Sequence, residues 1–192
     1  NSRRTFAAAK PAAPVVVDRY EGLDQIATVF EDPPVVGERK SVIVDLAAQT
    51  AAPLARWVKD SDLLPLMGEM GVTVNFWHVA DAGKDSVDLL NRLVNTYSPG
   101  PNYIVVRNLG RSSDFTLLDE SSALKKALAM GGCVVTLPQL HEASMRKIDR
   151  QNASFWNAIN HKSGPDALGM LERQRVKTWL RGVYEVFDTL PL

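Results

Sequence analysis

Cysteine, histidine and net charge are scarce in this sequence, and each scarcity removes a class of function. The single cysteine, Cys133, leaves no internal disulfide framework. It lies in the apolar run Cys133-Val134-Val135, so the expectation is a buried structural thiol in a reducing compartment rather than a nucleophile. Only three histidines occur, with no matching acid or cysteine spacing, so a histidine-based metal centre has no support. His78 and His141 are expected to be structural. The 22 Lys and Arg are balanced by 22 Asp and Glu, which argues against the broad basic face of a non-specific DNA binder. Any DNA association is expected to be local or indirect. Its local candidate, Arg173, Arg175, Lys177 and Arg181, has the charge alternation of a solvated helix face. No apolar run approaches the roughly 18 residues of a membrane span, and no charged-then-apolar leader opens the sequence. The cytoplasm is the expected compartment, with no membrane partner. A Ser-His-Asp set with a nucleophile elbow is missing as well.

What is present is a globular profile, 45% apolar and 23% charged over 192 residues, enough for one core. A single domain over 1–192 is expected. Short β-branched runs alternate with longer helical patterns, the signature of βαβ units and a parallel sheet covered on both faces. Five runs are predicted as strands: Pro14 to Asp18, Ser41 to Leu46, Val72 to Val79, Asn102 to Arg107 and Cys133 to Leu137. Helices are predicted at Leu23 to Phe30, Ala52 to Met70, Ser86 to Thr96 and Ser121 to Met130, with Gly71 and Gly131 as C-terminal stops. From Leu140 onward the pattern is helical, at His141 to Asp149, Ser154 to Asn160 and Ala167 to Phe187. The opening residues, Asn1 to Phe6, have the character of a loop and helix that follow a strand, as if the domain were entered in mid-fold.

The most informative stretch is Ser41-Val42-Ile43-Val44-Asp45-Leu46-Ala47-Ala48-Gln49, an apolar run ending in an acid, small residues and an amide. An acid at the carboxyl end of a parallel strand stands where open α/β sheets bind ligands, and there it orients a magnesium-bound or attacking water in phosphoryl transfer. Gln49 would help position that water. The alternative is that Asp45 merely caps the next segment. Asn108, after Ile104-Val105-Val106-Arg107, offers a purine both donor and acceptor, although asparagine also forms turns. Pro138 follows the fifth predicted strand and would wall the same crevice.

The segments Val42 to Gln49, Phe76-Trp77-His78-Val79 with Asp81 to Asp88, Val105 to Asn108, Thr136-Leu137-Pro138 and Met145 to Asp149 together resemble the ParA/MinD-type P-loop ATPases. The nearest branch is the plasmid-borne one associated with stability and conjugal mobilisation. The resemblance implies a three-layer α/β/α fold of P-loop NTPase type, a mostly parallel sheet and a helical C-terminal part over 140–192. It implies ATP and magnesium as cofactors, Asp45 as the Walker B acid near the metal, and Asn108 and Pro138 at adenine. It also implies a homodimer whose protein partner is switched by nucleotide state. No G-x-x-x-x-G-K-[ST] occurs: Gly131-Gly132-Cys133 lacks the lysine, and Gly83-Lys84 lacks the upstream glycine and a following Ser or Thr. The expectation is therefore that a P-loop lies ahead of Asn1 in the native protein and that these residues alone bind ATP poorly. A degenerate, non-catalytic interaction domain is the competing expectation.

Overall fold

The structure is a computed structural model that describes residues 15–17, 19–32, 40–47, 49–164 and 167–190. These residues have an α/β fold in two compact units, one holding 75–95 and 102–190 and the other 15–74 and 96–101.

The first unit is built on three parallel strands, β1 (Asn75–Ala80), β2 (Asn102–Asn108) and β3 (Cys133–Leu137), in the order β1-β2-β3. Central β2 is the most buried: Tyr103, Ile104, Val105 and Val106 are each 2% exposed or less, as expected of a parallel strand without polar alternation. Tyr103 and Val105 pack with Leu90 and Val94 of α4 (Lys84–Thr96), Leu118 of α5 (Thr116–Asp119), and Ala123, Leu124 and Ala127 of α6 (Ser122–Ala129). Ile104 and Val106, on alternate positions, cluster instead with Val135 and with Val186 of α9 (Met170–Phe187). A third cluster joins Leu140, Ile148 of α7 (Glu142–Arg150), Ala158 of α8 (Phe155–Asn160), and Leu168 and Val176. Helix ends follow their local chemistry. Ser121 Oγ accepts the Leu124 N–H at the start of α6, and Ser154 Oγ accepts that of Asn157 at the start of α8. Gly131 closes α6 with φ 83°, and the next amide, of Gly132, donates back to Ala127 O.

The second unit contains α1 (Tyr20–Ala27), extended by a 3-10 turn over Thr28–Phe30, then α2 (Ala51–Asp60) and α3 (Leu63–Glu69). Its buried Trp57 donates Nε1–H to Asp24 Oδ1 at 2.8 Å.

Four expectations need correction. The single helix over Ala52 to Met70 is two helices, because Pro65 has no amide hydrogen and its ring would collide with the carbonyl of residue 61 in a continuous helix. The chain turns at Ser61-Asp62, where Asp62 takes φ 47°. The strand expected from Val72 starts at Asn75, since the Val72 amide is used at 2.8 Å by Met67 O to close α3. Ser41 to Leu46 has no ladder among the described residues, and Ile43 is 71% exposed. Apolar β-branched residues make a strand only where a neighbour takes their amides and carbonyls, and no described strand does so here. Residues 15–17 of the first predicted strand also carry no ladder, while Pro14 and Asp18 lie outside the described residues. Asn1 to Phe6 lie outside them too.

Candidate functional site

All three strands are parallel, so their carboxyl ends share one edge of the sheet, where open α/β sheets expose loops to ligands. The ladder pairs Ala80 with Arg107 and Asn108 with Leu137. Asn108 thereby stands beside the strand that leads directly into Pro138, and the Leu109 amide donates to Leu137 O at 3.0 Å, fixing that last pair. Two of the residues expected at the site are thus neighbours.

Their polar atoms are partly committed. Asn108 Oδ1 accepts the Gly110 N–H at 3.0 Å, so the side chain builds the turn after β2 while its amide nitrogen remains a donor. Pro138 O accepts Trp179 Nε1–H at 2.7 Å, tying the end of β3 to α9. Arg107, just inside the edge, holds Asp119 Oδ1 through Nε at 2.9 Å and Nη2 at 2.6 Å.

The loop after β1 is equally ordered. Asp81 Oδ1 accepts the Gly83 N–H at 2.9 Å, and the Asp81 amide reaches Ser86 Oγ at 3.3 Å. Ser86 Oγ lies 3.4 Å from His78 Nε2. Burial holds the His78 imidazole below its ordinary pKa, opposed by its contact with Ser86 and the charge of Asp81. Sequence reasoning treated His78 as structural and did not see its link to Ser86. The i, i+8 spacing across a strand-to-helix turn was the available signal.

No family model, curated protein or solved structure matches this chain.

Asp45 and Gln49 belong to the second unit. Asp45 is exposed, lies in a stretch of irregular backbone rather than at a strand end, and makes no hydrogen bond or ion pair with another described residue. It does not cap α2 either, whose N-cap is Thr50. Gln49 is exposed, with φ 68° in the turn just before Thr50. Among the described residues no group of three or more His, Cys, Asp or Glu is placed to hold a cation. One carboxylate suffices for magnesium only where phosphate oxygens and waters complete its octahedron, and the glycine-rich loop that presents phosphates is not in this sequence. The residues present fit the base side of a nucleotide in part and do not by themselves fit the magnesium phosphate side.

One recess lies in the same unit as Asn108 and Pro138. It is open, has a volume of about 350 Å³, and is lined by Gln139, Leu140 and His141 after β3 and by Gln174, Arg175, Thr178 and Trp179 of α9. The sequence placed Arg175 on a solvated helix face and gave no sign that the turn after β3 would lie against that helix.

Proposed function

We propose that the chain belongs to an ATP-dependent switch protein of ParA/MinD type, acting in plasmid maintenance or conjugal transfer, with a three-layer sheet of P-loop type and a helical C-terminal part. The observation that carries this reading is the pairing of Asn108 with Leu137, which sets an amide donor beside Pro138 at the carboxyl edge of a parallel sheet. There Asn108 Nδ2 would donate to a ring nitrogen of adenine and the Pro138 ring would pack against its face. Bound ATP supplies the phosphates through which magnesium would be held. Asp45 would orient a water of that ion and Gln49 the attacking water, both in a site completed by a phosphate-cradling loop and a second copy of the protein.

A second reading, a non-catalytic interaction domain of the cytoplasm, has its own support: Asn108 Oδ1 and Pro138 O are already engaged within the protein. Fluorescent ATP titration with magnesium, using the product of the whole reading frame, separates the two. The switch reading expects saturable binding that Asn108→Ala weakens about tenfold, the scale of one lost hydrogen bond from a buried base, and hydrolysis that Asp45→Ala abolishes. Absence of binding, or hydrolysis indifferent to Asp45→Ala, would leave the interaction domain standing.

A further inference from the structure

The recess beside β3 is walled on one side by α9. At 3.6 residues per turn, Leu171, Arg175, Thr178 and Gly182 of α9 fall within an arc of about 60°, so the helix face that walls the recess runs on past it in both directions. Leu171, at one end of this strip, is 63% exposed. Gly182, at the other, has open space where a side chain would stand.

The floor of the recess is apolar and held in place. Trp179 is fixed through Nε1–H to Pro138 O at 2.7 Å and by the Phe155 ring at 5.0 Å, and Leu140 beside it is buried. The rim is cationic. No carboxylate lines it, and the Arg175 guanidinium makes no hydrogen bond or ion pair with another described residue. Glu172, the carboxylate one turn earlier, is bonded to Lys147 Nζ at 2.8 Å and to the Gly169 N–H at 2.7 Å, and it senses the charge of Arg175 less than it does these two partners.

We propose that this strip docks a short linear segment of a partner protein that carries an acidic side chain next to a bulky apolar one. The apolar side chain seats on Trp179 and Leu140, and the carboxylate makes a charge-assisted pair with Arg175, with His141 on the opposite rim. An extended or helical segment suits the shape better than a small molecule. Ligand pockets bury roughly 70–90% of what they hold, whereas this recess is open and gains contact area only along the helix, toward Leu171 and Gly182. The inference stands independently of the nucleotide reading.

The test is selection of a dodecapeptide display library on the purified chain, followed by fluorescence anisotropy with the enriched peptides. The expected outcome is enrichment of sequences with Asp or Glu within a turn of Leu, Phe or Trp. Arg175→Glu should weaken their binding about tenfold or more, as truncation of a central charged anchor does, and Thr178→Trp, which fills the recess, should remove it. Circular dichroism and thermal melting check that both variants fold; if either melts early, Gln174→Glu, which sets a carboxylate on the rim, replaces it. The proposal falls if no peptide is enriched, if enriched peptides lack the acidic and apolar pair, or if folded variants bind them unchanged. It also falls if AMP alone occupies the site and is excluded by Thr178→Trp, since the recess would then be a nucleotide site.

Discussion

His78 shows how one half-buried side chain couples the fold to pH. Its pKa is depressed chiefly by burial, so the folded protein takes up a proton at lower pH than the unfolded chain does at about 6.5. As pH falls from that value toward the folded pKa, the unfolded state binds more protons and stability drops; above it the contribution is fully present. Urea unfolding should therefore show a midpoint that declines below pH 6.5, and His78→Gln should flatten part of the decline. An unchanged slope would mean that His78 titrates alike in both states. The same residue marks a limit of sequence reading. Composition and spacing favour a structural role for His78, but its Ser86 partner lies across a turn whose path is set by Gly83 and Asp81. Asn108 was legible in both its senses, as a turn former and as a group at the strand edge, because both follow from its place after an apolar run.

At the scale of elements, strands with a partner were readable and the run without one was not. Cys133 to Leu137 was found with its bounds and Asn102 to Arg107 to within one residue, since burial on both faces leaves an unbroken apolar run. Ser41 to Leu46 has the same character, yet its ladder depends on a neighbour that no property of the run itself reports. The break in the helix after Asp60 was legible in principle, through Pro65, but was outweighed by the apolar periodicity on either side. Asp62, at φ 47°, is where that break stores its strain. Asp62→Gly should raise stability, by no more than about 1–2 kcal/mol, by removing the Cβ from a left-handed conformation. Asp62→Val should lower it by about 1–2 kcal/mol, and both changes can be read from denaturant midpoints at constant slope.

Taken as a whole, the molecule carries no net charge, and among its described residues the β1 side of the sheet is lightly protected. In β1, Trp77 is 40% and Val79 58% exposed, and β1 pairs only with β2 among the described residues. Exposed apolar edge strands template pairing with another chain, and a neutral molecule has little long-range repulsion to prevent it. Light scattering should show association that grows with concentration near neutral pH. Val79→Lys should suppress it while changing stability by no more than about 0.5 kcal/mol, as for most surface substitutions. Among the described residues no helix is long and apolar enough to cross a membrane.

Gly132 sits where α6 and β2 approach so closely that a Cβ would stand 2.7 Å from Ala127 O and 2.9 Å from Tyr103 O. Both obstacles are backbone, so neither can swing aside. A saturation library at this codon, selected for soluble expression, should return glycine alone. In copies of this fold too diverged to align by similarity, that single invariant letter, just ahead of an apolar run, would still tell where the third strand begins.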